Sequence, residues 1–139
     1  MKNQNRGFKK KFVPNTEATL VMDASGICND RQYDVDSLTE LLKTIPFEKM
    51  SYPIIASKQA LFGDKAKGGT TQVGYIRSAT YGENVSFDVT LYAKVDNAIK
   101  ATFENPILYP KVIVDDNGNI EKIISFSIVE GIVVEDDSE

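Results

Sequence analysis

Between Asn84 and Lys94, apolar and polar residues alternate almost without error. Val85, Phe87, Val89, Leu91 and Ala93 interleave with Ser86, Asp88, Thr90 and Tyr92. A period of two predicts a strand with one buried and one exposed face. Thr70 to Thr80 reads as its partner, across a turn at Tyr81-Gly82-Glu83-Asn84. Ile107 to Val114 and Asn119 to Val129 flank Asp115-Asp116-Asn117-Gly118, and Asn-Gly between apolar runs is the strongest short hairpin signal. Ile132 to Val134 would extend that last strand. Glu17 to Asp23 alternates as well, with a bend at Gly26 and extended character resuming near Ile27. The period changes at Leu38, Leu41, Leu42 and Ile45, which fall at i, i+3, i+4 and i+7 behind a Ser37/Glu40 capping box and ahead of Pro46. A shorter helix is predicted over Asp96 to Phe103, with Asp96 as its N-cap. Tyr52 to Ser57 reads as a short strand, Lys58 to Phe62 as one helical turn, and Gly63 to Gly69 as a loop.

With residues 35–62 set aside as a helix-bearing insertion between the first two strands, the order is strand, strand, strand, helix, strand, strand. That is the element order of an OB-fold, a five-stranded barrel with a short helix between its third and fourth strands. A barrel leaves no sheet edges, which suits strands as apolar as Val112-Ile113-Val114. A β-sandwich or an α+β roll is the rival architecture. The expected organisation is a basic arm over residues 1–15, an OB-fold-like domain over 16–134 and an acidic tail over 135–139.

Composition narrows the chemistry. The chain of 139 residues is one domain's worth, with 42% apolar and 26% charged residues. Its single cysteine, Cys28, cannot form an internal disulfide, and its setting gives no reason for a reactive thiol. With no histidine, the chain has no His general base, no Ser-His or Cys-His pair and no His metal ligand. No apolar run approaches a membrane span. The stretch Ala18 to Met22 is too short to be the core of a signal peptide behind the basic start, so a cytoplasmic protein without membrane contact is expected. The net charge of −4 conceals a polarity: residues 1–12 carry +5 and no acid, residues 130–139 carry −5 and no base, and the remainder sums to −4. A basic arm can bind phosphate while the body stays acidic.

The recognisable motifs mostly reduce to structure. Gly63-Asp64-Lys65-Ala66-Lys67-Gly68-Gly69-Thr70 places Gly69 where a P-loop needs lysine, and a strand follows where that motif needs a helix. What remains is a basic loop, Lys58, Lys65 and Lys67. An EF-hand begun at Asp115 would have Ile120 at its obligatory glycine, so the hairpin turn explains those acids better. Asn84-Val85-Ser86 matches a glycosylation sequon without a context that would use it. No carboxylate pair suits acid/base catalysis. No enzymatic activity, cofactor or metal is expected.

The aromatics carry the functional expectation. Tyr92 belongs to the polar set of its strand, Tyr75 and Arg77 share a face of the neighbouring strand, and Tyr109 precedes Pro110-Lys111. Rings beside cations on a β-surface suit single-stranded nucleic acid, where bases stack and cations follow phosphates. The predicted site is Tyr75, Arg77, Tyr92 and Tyr109, with Lys65, Lys67 and Lys111 on phosphates. The arm adds Phe8, Lys9, Lys10, Lys11 and Phe12 for the strand or a neighbouring subunit. On element order over residues 16–134 and the acidic Glu135-Asp136-Asp137-Ser138-Glu139 end, the chain resembles OB-fold single-stranded DNA-binding proteins. Its basic aromatic arm and its insertion are similar to the PrgE type of Gram-positive conjugative plasmids and phages. It departs from many bacterial relatives in lacking tryptophan and an apolar C-terminal dipeptide. The resemblance implies sequence-independent binding of single-stranded DNA (RNA being the other candidate polymer) and homo-oligomers bridged by the arm along the strand. The alternative is a structural or assembly subunit of a phage or mobile element that oligomerises through that arm.

Overall fold

The structure is a computed structural model that describes residues 15–66 and 68–131. The arm residues Phe8, Lys9, Lys10, Lys11 and Phe12, the loop residue Lys67, and Ile132 to Glu139 lie outside the described residues. Among the described residues eight strands form: β1 (Thr16–Val21), β2 (Ile27–Cys28), β3 (Arg31–Gln32), β4 (Tyr52–Ser57), β5 (Thr70–Tyr81), β6 (Val85–Leu91), β7 (Pro106–Val114) and β8 (Ile120–Glu130). The helices are α1 (Val35–Leu42), α2 (Lys58–Phe62) and α3 (Ala93–Thr102), with a 3-10 turn at Phe47–Lys49 between α1 and β4.

Both longer helices start three residues before their predicted starts, because other caps win. Asp34, not Ser37, caps α1: its carboxylate accepts from Asp36 N at 3.3 Å and from Ser37 Oγ at 2.9 Å. The first N–H of α3 is satisfied from far along the chain, since Ala93 N donates to Asn15 Oδ1 at 3.0 Å. Ser57 caps α2 through Ala60 N. At the β7–β8 turn, Asp115 Oδ1 accepts from Asn117 N at 2.8 Å and Asn119 N at 2.9 Å, so this carboxylate is consumed by the turn. Asn29 and Asp30, at φ 53° and 65°, make the tight turn of the β2–β3 hairpin.

Six strands form one mixed sheet in the order β1-β6-β5-β4-β8-β7, while β2 and β3 pair apart. The expected five-stranded barrel is therefore corrected to a six-stranded sheet that does not close. The extra member is β4, placed beforehand in the insertion. Its Ile54 and Ala56 are buried, and it pairs antiparallel with β5 and parallel with β8. The sheet edges, β1 and β7, meet at one parallel bridge, Met22↔Leu108, beside which Asp23 N donates to Leu108 O at 2.8 Å. Among the described residues no continuous ladder joins them.

The sheet is strongly curled. Phe87 on β6 and Phe126 on β8 are three strands apart, roughly 14 Å across a flat sheet. Their ring centroids nevertheless lie only 5.3 Å apart, so the inner face folds onto itself. Extra residues at Val73, Arg77, Glu121 and Ile124 break the pairing register and supply the bend. Phe47, from the 3-10 turn, meets Phe87 and Phe126 edge-on at 5.8 and 6.4 Å. The core is the inner set of every strand: Leu20, Ile54, Val73, Ile76, Phe87, Val89, Leu108, Val112, Phe126 and Ile128 are buried, and Leu38 and Leu42 of α1 and Ile99 of α3 belong to the same cluster.

Candidate nucleic-acid interface

The outer face of β5 and β6 assembles three of the predicted residues. Ile76 is buried, so alternation turns Tyr75 outward, opposite Thr90. Arg77 is the extra residue of the bulge. The phase shifts after it, so that Ser78 pairs with Asp88 and Ala79 with Phe87. Tyr92 follows β6, and its ring centroid lies 6.3 Å from that of Tyr75 with the planes inclined at 52°. Gln72 Nε2 donates to Tyr92 Oη at 3.0 Å, and Tyr92 N donates to Val73 O at 2.9 Å, which orients this ring. Both residues are half-buried, and Tyr92 also packs against the core cluster.

Arg77 lies along the same face. Its Nη2 donates to Val89 O at 3.4 Å and stands 3.9 Å from Glu17 Oε1, while its buried Nε has no acceptor among the described residues. Asp88 accepts from Thr19 Oγ1 at 2.9 Å and Ser78 Oγ at 3.0 Å. Those hydroxyls, helped by the Arg77 charge, hold its carboxyl below the usual range.

The end of α1 and the 3-10 turn contribute cations, Lys43 and Lys49, that sequence reasoning missed. A cleft of about 260 Å³ between this turn and β5 is lined by Lys49, Ser51, Tyr75 and Arg77, among others. Beside it, a second cleft of about 230 Å³ is lined by Lys43, Lys49, Ser78 and Tyr81. Lys43 Nζ sits 5.6 Å from the Tyr81 ring centroid and 3.1 Å from Glu40. Lys43 and Lys49 flank Pro46-Phe47 in sequence, and burial of the Phe47 ring in the core carries both lysines over β5. No local pattern announces that placement.

The remaining predicted residues lie elsewhere. Lys65 is exposed in the loop that enters β5. Tyr109 and Lys111 sit on β7, three strands from β5. In register, Gln72, Ile55, Ser127 and Tyr109 form one outward row across the sheet. The Tyr109 ring packs against the core, and its hydroxyl donates to Ile27 O at 3.4 Å beneath the β2–β3 hairpin. No family model, no curated protein and no solved structure matches this chain. No helix among the described residues is long and apolar enough to cross a membrane.

Tyr33, Cys28 and Asp23 complete the Tyr109 environment. Burial first, then the neighbouring Cys28 and Asp23, push the Tyr109 phenol up to about 12; burial, Asp23, Cys28 and Tyr109 do the same for Tyr33. A phenol with a raised pKa stabilises the fold through its neutral form. The contribution is fully present below the ordinary value of 10.0 and is lost as pH rises from there to about 12. Burial also raises Tyr52 and Tyr81, so absorbance titration at 295 nm should show four of the six tyrosines ionising late, Tyr33 and Tyr109 last, together with the alkaline fall in stability. Simultaneous ionisation of all six near the ordinary pKa, with the fold intact, would contradict this packing.

Proposed function

We propose that this protein binds single-stranded DNA without strong sequence preference, through the outer face of β5–β6 and the clefts beside the 3-10 turn. The observation that carries the reading is the Tyr75–Tyr92 ring pair beside Arg77 and Lys49. Bases stack on rings regardless of identity, and cations follow the backbone. No chemical step is assigned to the site; it acts by holding the strand, as protection or handling of single-stranded DNA in conjugation or phage replication requires. Kinship with OB-fold single-strand-binding proteins of the PrgE type is part of the proposal. It is supported by the helix between β6 and β7 and by rings on an outer strand face. The +5 stretch of residues 1–12 adds phosphate affinity, and the described chain begins at Asn15, whose side chain caps α3 next to Tyr92.

Fluorescence anisotropy with an oligo-dT tests the reading. Without residues 1–12, three phosphate contacts, at Lys43, Lys49 and Arg77, give a log–log salt slope of roughly −2 and a fall in affinity of about twenty-fold between about 50 and about 200 mM salt; the +5 stretch should make the slope of the intact chain steeper. Lys43→Glu and Lys49→Glu should each flatten that slope, and removal of residues 1–12 should weaken binding. No binding at low salt would end the proposal. An RNA oligonucleotide of the same length tests polymer choice. The alternative reading, an assembly subunit, is favoured by the unladdered edges of β1 and β7. It predicts oligomers by light scattering without nucleic acid and no response to oligonucleotides.

A further inference from the structure

We propose that the cleft between Asn15 and Lys94, where β1 and α3 begin, is a further phosphate subsite through which the polynucleotide passes from the ring pair to the basic arm. Lys94 holds a backbone phosphate there. The inference rests on the reading of the β5–β6 face and adds to it the strand's route and a contact residue.

Register brings the parts together. Gly74 pairs with Leu91 and Leu91 with Thr16, so Tyr75, Tyr92 and Asn15 stand at the same end of three neighbouring strands. Each strand lies about 4.8 Å from the next. An open cleft of about 380 Å³ is lined by Asn15, Tyr92, Ala93 and Lys94. Tyr92 thus belongs both to this cleft and to the ring pair. Lys49 and Arg77 share their cleft with Tyr75, whereas Lys94 shares one with Tyr92. A strand stacked on the two rings therefore has cations for its phosphates beyond either ring.

Nothing among the described residues claims the Lys94 charge. Its side chain is exposed and makes no ion pair there. Asp96, two positions on, falls on the opposite side of α3 and is engaged by Lys100 at 3.0 Å. Glu17, the acid of β1, stands 3.9 Å from Arg77. The helix end is not itself the anchor, because Ala93 N already donates to Asn15 Oδ1 at 3.0 Å.

Covalent geometry brings in the arm. Only Val13 and Pro14 separate Phe12 from Asn15, so the Cα of Phe12 lies within about 11 Å of that of Asn15, and the Cα of Lys9 within about 22 Å. The acidic end of the chain departs elsewhere. Gly131 N donates to Asn105 O at 2.7 Å, past the far end of α3, whose ten residues span about 15 Å.

Anisotropy with oligo-dT on the full chain forms the test. Lys94 adds a fourth contact to Lys43, Lys49 and Arg77, which moves their shared salt slope from roughly −2 to nearly −3. Lys94→Gln should accordingly flatten the measured slope by about 0.7 at an unchanged melting temperature. Lys122→Gln, on β8, is the control and should leave the slope as it is. A Gly/Ser insert of about twenty residues between Val13 and Pro14 keeps every charge but lengthens the tether from Lys10 to Asn15 about fivefold, so affinity should fall about tenfold. A Lys94→Gln slope equal to that of the unaltered chain, or an insert without effect, would overturn the proposal while binding by the rings stands. Absence of oligo-dT binding by the unaltered chain at low salt would remove the underlying reading as well.

Discussion

Gly74→Ala should cost this protein about 3 kcal/mol or more, as overpacking at backbone contacts does, and lower its melting temperature by on the order of 10 °C. Gly74 is buried on β5, opposite Leu91 of β6. A Cβ there would fall inside the van der Waals radius of the Thr90 carbonyl oxygen and within 3.0 Å of Leu91 Cα. Both obstacles are backbone, so no side-chain rotation relieves them. The strands would have to separate between Tyr75 and Tyr92, loosening the core and the ring pair together. Thermal melts by circular dichroism measure the effect. Gly68→Ala is the control, because an added Cβ there meets nothing within 4 Å. A Gly74→Ala melt indistinguishable from the control would show that the two strands have slack.

The second large effect is on binding. Each stacked base is worth roughly 1–3 kcal/mol, so Tyr75→Ala with Tyr92→Ala should weaken oligo-dT binding by about a hundredfold or more. Tyr92 also packs against the core cluster, so the melting temperature of the double variant, and of Tyr75→Ala alone, separates lost stacking from lost packing. Tyr109→Ala should behave in the opposite way. Its ring packs against the core beneath the β2–β3 hairpin, so the melting temperature should fall while affinity changes little. If the double variant binds as tightly as the unaltered protein, the rings are not the platform, whatever the salt dependence.

Strand existence and facing were legible wherever alternation was uninterrupted. Phe87 and Val89 point inward, as their period requires, whereas the choice between Tyr75 and Ile76 was settled only by the burial of Ile76. The Asn-Gly turn after β7 was legible for the same local reason. The helix starts were not. The Ser37 capping box lost to Asp34, and α3 is capped by Asn15, which is 78 residues away. Local cap signals compete, and a long-range donor or acceptor has no local trace. The site divides in the same manner. Tyr75, Arg77 and Tyr92 were expected close together because their segments pair as neighbours, and the structure does bring them together. Lys43 and Lys49 were missed because they reach β5 only through the burial of Phe47.

Taken by itself, the chain's pattern determined a mainly β protein and, on the cleanly alternating strand after Asn84, an apolar and a polar side. Only the tertiary structure decided that β4 sits in the middle of six strands, that the edges meet at one bridge, and that Tyr109 lies apart from the other two rings. The reason is physical. Side-chain direction alternates residue by residue and is written locally. Which strands become neighbours, and how far a sheet curls, depends on the packing of residues such as Phe47, Phe87 and Phe126, which lie far apart in the chain and meet only in the core.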